Sequence, residues 1–174
     1  NSGEPEWIEI YNKSTKQINL NGYQISNSSS KNKVINKNIT LNPEDYFVVT
    51  KDSSMFTKYP RPQKFVTSIF PSLNNSGDDV VIKDSLDRTI DSLKYKSSWG
   101  GLNGKSLERF DFNKSTNDST NWKTANNVLG GTPGFVNSIS KKKFDVAVNN
   151  LTFNPSKPLA GEKVNLSCNV ENIG

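Results

Sequence analysis

The chain has 174 residues, and its 22 Lys and Arg against 17 Asp and Glu give a formal net charge of +5. It contains no His and one Cys, which excludes a Ser-His-Asp triad, a His-ligated zinc and an internal disulfide. Hydrophobic residues make up only 32%, but aromatic residues reach 10%, which favours a globular chain over a disordered one. No apolar run approaches the roughly 20 residues of a transmembrane helix, so no membrane span is expected in this segment.

The positive charge is spread along the chain. Residues 1–137 carry 17 basic and 14 acidic side chains, and residues 138–174 carry 5 and 3. Only Arg61, Arg88 and Arg109 are arginines; the other basic residues are lysines. Because nucleic-acid domains concentrate Lys and Arg on one face, this pattern favours a solvated surface and leaves nucleic-acid binding as an alternative.

Short β-strands separated by turns are predicted along most of the chain. Residues 6–12 alternate, with Trp7, Glu9 and Tyr11 on one face and Ile8 and Ile10 on the other. Further strands are predicted at 18–20, 23–26, 34–35, 39–41, 46–49, 66–70, 78–83, 89–95 and 105–110. No apolar helical spacing is sustained over three turns, so an all-β sandwich is expected, with one short helical turn before Pro60.

The character of the sequence changes after Asn137. Residues 138–144 are polar and basic and are predicted to be a linker. Residues 145–174 contain two alternating stretches, the first with a shift near Asn149 and Asn150, which predicts a β-hairpin. Cys168 falls on the apolar side of the second stretch, so we expect a buried structural thiol there.

Several stretches, taken in order, resemble the bacterial lamin tail domain over residues 4–137. They are residues 6–12, residues 18–23, residues 78–84, residues 106–109, Trp122 and residues 131–137. The resemblance implies an immunoglobulin-like β-sandwich over residues 1–137 with structural motif residues. Those residues are Trp7, Glu9, Asn12, Gly22, Leu107, Glu108, Arg109, Trp122, Thr132, Pro133, Gly134 and Asn137.

Residues 145–174 resemble the first strands of a CARDB module, a cell-adhesion-related immunoglobulin-like domain. The C-terminal hairpin is therefore expected to belong to a second, incomplete immunoglobulin-like module. The lamin tail resemblance also implies a strand before Glu6 that the first residues do not match. We expect an unfilled sheet edge, which makes strand exchange into a homo-oligomer possible.

Two groups of side chains are candidates for catalysis or for metal binding. Glu9, Glu108 and Arg109 contain a carboxylate pair with a cation, but the sheet positions favour a structural ion pair over acid–base catalysis. Asp111, Asn113, Asn117 and Asp118 crowd one loop with oxygen ligands, although they lack the EF-hand spacing. Whether the 111–118 loop binds Ca²⁺ stays open, and no metal, cofactor or catalytic residue is assigned.

Of the three tryptophans, Trp99 is the one predicted to face a ligand. Trp7 and Trp122 belong to the motif pattern and are expected in the core, whereas Trp99 lies in a loop beside Gly100. We therefore expect a non-catalytic binding, adhesion or spacer module of a bacterial secreted or cell-surface protein, with a protein or polysaccharide partner. The alternatives are a nucleic-acid-binding accessory domain and a carbohydrate-binding module.

Overall fold

The computed structural model describes residues 6–29, 32–67, 69–141 and 145–172, and it is built from strands and three 3-10 turns. The turns span Ser53–Thr57, Ser97–Trp99 and Ser119–Asn121. The strands are β1 Trp7–Tyr11, β2 Ile18–Asn19, β3 Gln24–Ser26, β4 Lys33–Val34, β5 Thr40–Leu41, β6 Tyr46–Thr50, β7 Phe65–Thr67, β8 Gly77–Lys83, β9 Thr89–Lys96, β10 Leu107–Arg109, β11 Trp122–Thr124, β12 Val146–Asn154 and β13 Asn165–Asn172.

The chain divides into two compact units, the first ending at Ser140 and the second beginning at Lys141. The predicted linker, residues 138–144, includes residues 142–144, which lie outside the described residues. Residues 4 and 5 of the lamin tail resemblance and the residues before Glu6 lie outside them as well. Among the helices that the structure does describe, none is long and apolar enough to cross a membrane.

Two sheets enclose the core of the first unit. One has the order β1-β6-β7, with β7 parallel to β6, and the other has the order β4-β3-β8-β9. Ile25 from the second sheet and Phe47, Val49 and Val66 from the first belong to one buried cluster. The first unit is therefore an all-β, immunoglobulin-like sandwich, as the sequence predicts.

Strand β6 is covered on both faces. Phe47 and Val49 face the main core, while Val48 points the other way and packs with Met55 and Tyr59 in a second cluster. Trp7 of β1 packs on this second cluster, with its ring 6.3 Å from that of Tyr59 in an edge-on arrangement. This two-sided burial is why residues 46–49 read as a continuous apolar run rather than an alternating one.

The second unit is a two-stranded antiparallel sheet of β12 and β13. The register shifts between Asn149 and Thr152, where Asn150 adopts a positive φ of 53°, so the predicted irregularity is confirmed. The bulge keeps Val148 and Phe153 on the same face although they lie five positions apart, a spacing that would place them on opposite faces of a regular strand.

One expectation for the hairpin is wrong. Cys168 is exposed, not buried, and so are Val148, Phe153, Leu166 and Val170 on the same face. A two-stranded sheet cannot bury either of its faces by itself, so alternation here places the thiol on the apolar side without burying it.

Candidate functional site

The structure brings part of the motif set together around the segment 131–138, which we call the Thr-Pro-Gly segment. It lies against β1 and β10, where it contacts Glu9 and Glu108 directly. The motif residues at this place are Trp7, Glu9, Glu108, Arg109, Thr132, Pro133, Gly134 and Asn137.

Glu108 of β10 is the centre of this arrangement, with only 2% of its surface exposed. Its carboxylate accepts hydrogen bonds from the hydroxyl of Thr132 at 3.0 Å and the hydroxyl of Ser138 at 2.7 Å. The hydroxyl of Ser106, 3.4 Å away, is a weaker third donor. The buried carboxylate thus fixes both ends of the Thr-Pro-Gly segment to the sandwich.

Glu9 of β1 holds the middle of the same segment. Its Oε2 accepts a hydrogen bond from the backbone N–H of Gly134. Gly134 has φ 84°, and a Cβ there would lie 2.5 Å from the Cβ of Pro62. Only glycine fits this approach, which explains its place in the motif.

The two carboxyl groups are electrostatically coupled. Burial raises the pKa of Glu9, the hydrogen bond from Gly134 opposes the shift, and the negative charge of Glu108 adds to it, so that the pKa lies at about 8. Glu9 therefore carries a proton at neutral pH. Burial, followed by the charge of Glu9, also raises the pKa of Tyr46, which neighbours it on the same sheet.

The expected ion pair of Glu9 or Glu108 with Arg109 is not formed within the described residues. Alternation along β10 sends the side chains of Glu108 and Arg109 to opposite sides. Arg109 lies 3.8 Å from Asp91 and donates to the carbonyl of Lys114, and its main-chain carbonyl accepts from Asn137 at 3.0 Å. Hydroxyl and backbone donors take the place of the predicted cation at the two glutamates.

This environment limits what the glutamates can do chemically. A glycosidase-type pair needs two carboxyl groups that flank a bound substrate in a cleft. Glu108 instead lies beneath the Thr-Pro-Gly segment with its oxygens occupied by Thr132 and Ser138. The arrangement is suited to holding a segment in place.

Other motif residues lie away from this segment and fix turns. The side-chain amide of Asn12, 3% exposed, donates to the carbonyls of Lys16, Leu41 and Asn42. Gly22 occupies the Asn-Gly turn with φ 81°.

On β10 and β11, the remaining motif residues are partly buried. Leu107 lies opposite Thr124, and the Trp122 indole N–H donates to the carbonyl of Thr116 at 2.7 Å.

Trp99 ends the 3-10 turn that follows β9 and is partly buried. The turn is fixed on both sides: Ser97 N–H donates to the carbonyl of Ser76, and Gly101 N–H donates to the hydroxyl of Thr124. A Cβ at Gly100 would lie 2.8 Å from the Thr124 nitrogen, so the chain passes very close to β11. The loop that carries Trp99 is therefore held in one conformation.

The outer face of β8 and β9 forms a groove of about 550 Å³ beside Trp99, which we call the Trp99 groove. Its lining includes Asp79, Val81, Ser92, Lys94, Trp99 and Asn117. Asp79 and Lys94 face each other across the two strands and form an ion pair at 3.3 Å. Sequence reasoning singles out Trp99 but not its neighbours, because their meeting depends on the β8–β9 register.

The oxygen-rich 111–118 loop uses its side chains for its own structure. Asp111 accepts from the N–H of Asn113, and Asp118 accepts from the N–H of Thr120. Asn117 caps the edge strand β9, donating to the carbonyl of Ser92 and accepting from the N–H of Lys94. In the part of the chain that the structure describes, no three His, Cys, Asp or Glu side chains group as metal ligands do.

Several residues that hold the first unit together through hydrogen bonds could not be singled out from the sequence. Ser106 and Ser138 are ordinary serines in sequence, yet both donate to Glu108. Asp78 is 6% exposed and gathers hydrogen bonds from Asn27, Ser28 and Asn74. An aspartate at the start of the predicted strand 78–83 is the only sequence hint of this role.

The fold and the placement of the motifs define an immunoglobulin-like, all-β module. The family model of the lamin tail domain matches residues 1–97, more than half of the chain, so the chain belongs to the lamin tail domain family. No curated protein matches the sequence. The matched residues run through β9 and include Trp7, Glu9, Asn12 and Gly22.

Proposed function

We propose that this chain is a non-catalytic binding and spacer module of a bacterial secreted or cell-surface multidomain protein. Residues 1–137 serve as the sandwich and residues 145–174 as the first strands of a second, CARDB-like module, joined by residues 138–144. The partner is a protein or a polysaccharide at the cell surface.

The carrying observation is the use of Glu9 and Glu108. These are the side chains best suited to acid–base chemistry, and both are occupied by the Thr-Pro-Gly segment, through Gly134, Thr132 and Ser138. Because Glu108 is 2% exposed, a substrate reaches it only if that segment leaves. The pair contributes to stability and leaves the outer faces for binding.

The arginines argue against the nucleic-acid alternative. Arg61 lies over the rings of Phe56 and Phe65, with its guanidinium carbon 4.8 Å from the second ring centre. Arg88 pairs with Asp84 and Arg109 pairs with Asp91. Guanidinium groups bind phosphate through two parallel hydrogen bonds, and these three are already engaged within the chain.

The test compares the natural chain with Glu108→Gln. Thermal stability, hydrolysis of polysaccharides followed by reducing ends, and binding to peptidoglycan, collagen and duplex DNA are measured at about 0.15 M salt. We expect a lower melting temperature, no hydrolysis by either protein, and unchanged binding below the melting temperature. Ser72→Ala, an exposed surface change, is the matched control.

Two results contradict the proposal. Hydrolysis that Glu108→Gln abolishes while the protein stays folded would make the pair catalytic. Submicromolar binding to duplex DNA at physiological salt would favour the nucleic-acid alternative.

A further inference from the structure

The Trp99 groove combines an aromatic ring on a fixed turn with exposed polar groups. Its lining carries the indole N–H of Trp99 and the hydroxyl of Ser92, and Ser92 is exposed. A volume of about 550 Å³ lies within the range of about 300–1,000 Å³ typical of small-molecule sites. The groove therefore has both the space and the polar groups that a bound ligand requires.

The aromatic element is pre-organised. Trp99 is carried on a turn that Ser76 and Thr124 hold from two sides, so the backbone that carries the ring has little conformational freedom to lose on binding. The neighbouring Val81 is the apolar floor on β8. A flat ring beside an apolar floor favours a ligand with an apolar face.

The rim of the Trp99 groove carries one negative and one positive side chain, and their charges cancel. Of the residues that line the groove, only Asp79 and Lys94 are charged, and they are paired at 3.3 Å. The Lys94 side chain is 74% exposed and that of Asp79 is 37% exposed, so both can turn towards a ligand. A carboxylate at the rim repels a polyanion, while carboxylate and ammonium together hydrogen-bond neighbouring hydroxyls.

The second polar side is the amide of Asn117. Its two bonds to β9 fix its orientation, yet an amide has two donor hydrogens and two acceptor lone pairs. One of each remains for a ligand. The groove is thus bordered by hydroxyl, amide, carboxylate and ammonium groups around one ring.

From this arrangement we infer that the Trp99 groove binds a neutral glycan, with a pyranose ring stacked on Trp99 and its hydroxyls bonded to Asp79, Lys94 and Asn117. A pyranose presents apolar C–H groups on its face and hydroxyls at its rim, which matches the groove in both respects. The inference rests on the proposed binding function and gives it a ligand class.

The test uses the full chain with cellohexaose and chitohexaose as neutral probes and heparin as the polyanion, followed by titration calorimetry. We expect one of the neutral oligosaccharides to bind with an affinity that does not change between about 0.05 M and about 0.5 M salt. Trp99→Ala weakens it about tenfold or more, and Trp99→Phe keeps it within about threefold because the ring is retained.

Two further variants protect the test against loss of fold. Ser92 is exposed in the groove, so Ser92→Arg fills the space without removing any core contact and is expected to block binding. Phe135→Ala removes an aromatic side chain that is 48% exposed outside the groove and is expected to leave binding unchanged.

Three outcomes overturn the inference. They are no binding of either neutral oligosaccharide, binding that Trp99→Ala and Ser92→Arg leave intact, or preferential, salt-sensitive binding of heparin. None of these outcomes changes the result expected for Glu108→Gln. Failure of the glycan inference can therefore be distinguished from failure of the proposed non-catalytic function.

Discussion

The sandwich and the C-terminal hairpin have the same alternating sequence pattern and opposite burial. In β1, Ile8 and Ile10 pack against a closed core. In β12 and β13, Val148 and Val170 pair across the strands on the apolar face, and both remain more than 60% exposed. Alternation sets which face of a strand is apolar, but a second layer is needed to remove that face from water.

The two regions also differ in their polar groups. The sandwich buries Glu108, Asp78 and Asn12 and supplies each with several hydrogen bonds. The opposite face of the hairpin carries Asn149, Asn169 and other polar residues that are exposed. We therefore expect stability to be concentrated in the sandwich.

The largest effect is expected from matched phenylalanine substitutions. Phe47 is fully buried and Phe153 is 52% exposed. Phe47→Ala should lower the free energy of unfolding by about 3–5 kcal/mol, and Phe153→Ala should change the same transition by less than about 0.5 kcal/mol. The measurement is urea unfolding by tryptophan fluorescence, which reports the sandwich because Trp7, Trp99 and Trp122 all lie there. Equal losses would show that the hairpin stabilises the sandwich.

The next effect concerns two adjacent aspartates of β8. Asp78→Ala leaves the donors of Asn27, Ser28 and Asn74 without their acceptor and should cost about 2–3 kcal/mol. Asp79→Ala is the control and should cost less than about 1 kcal/mol, since it breaks only a surface pair with Lys94.

The same substitution carries a pH signature. Burial acts to raise the pKa of Asp78, but hydrogen bonds from Ser28, Asp79 and Asn74 outweigh it and hold the pKa below its usual range. The stabilisation by Asp78 is therefore present above the ordinary aspartate pKa and is lost as pH falls through the lower folded value. Thermal melts of Asp78→Ala and the natural chain should converge in acid; a constant difference would contradict this account.

The stability that Glu9 contributes has the opposite pH dependence. Because its pKa is raised to about 8 in the folded chain, stability from this group is complete below the ordinary glutamate pKa and declines as pH rises towards 8. Glu9→Gln is neutral and keeps an acceptor for Gly134, so it should match the natural chain near pH 5 and exceed it by about 4 kcal/mol near pH 9. Melting temperatures across that range test this, and parallel curves would show that Glu9 does not titrate there.

The smallest effect on stability, but a sharp contrast in reactivity, is expected at Cys168. Its exposed thiol should react with a maleimide in the native chain about as fast as in denaturant, without loss of stability. Val49→Cys in a Cys168→Ser background places a thiol at a fully buried position and should be protected until the sandwich unfolds. Slow labelling of Cys168 would show that its face is covered in solution.

The elements of the fold follow from local signals in the sequence. The hairpin of β8 and β9 is set by apolar runs on either side of residues 84–88, and Asp84 caps the turn by accepting from Leu86 and Arg88. The bulge at Asn150 is visible as a break in alternation. Strand lengths follow less closely, since the predicted strand 105–110 is Leu107–Arg109.

The sites depend on contacts between distant residues, and sequence reasoning is weaker there. The pairing of Glu108 with Ser138 and of Glu9 with Gly134 joins residues 30 and 125 positions apart. An ion pair is the simplest partner for a buried carboxylate, and nothing local indicates that hydroxyls take that role. Trp99 can be singled out from its loop, but its neighbours require the register of β8 and β9.

The attachment of the Thr-Pro-Gly segment has a mechanical consequence. Tension applied through the chain beyond Ser138 reaches the bonds of Ser138 to Glu108 and of Asn137 to the carbonyl of Arg109 before it reaches the core strands. Thr132 and Gly134 come under load next, on the same two glutamates. Because these bonds come under load one after another, the segment acts as a clamp that opens stepwise from Ser138 towards Thr132.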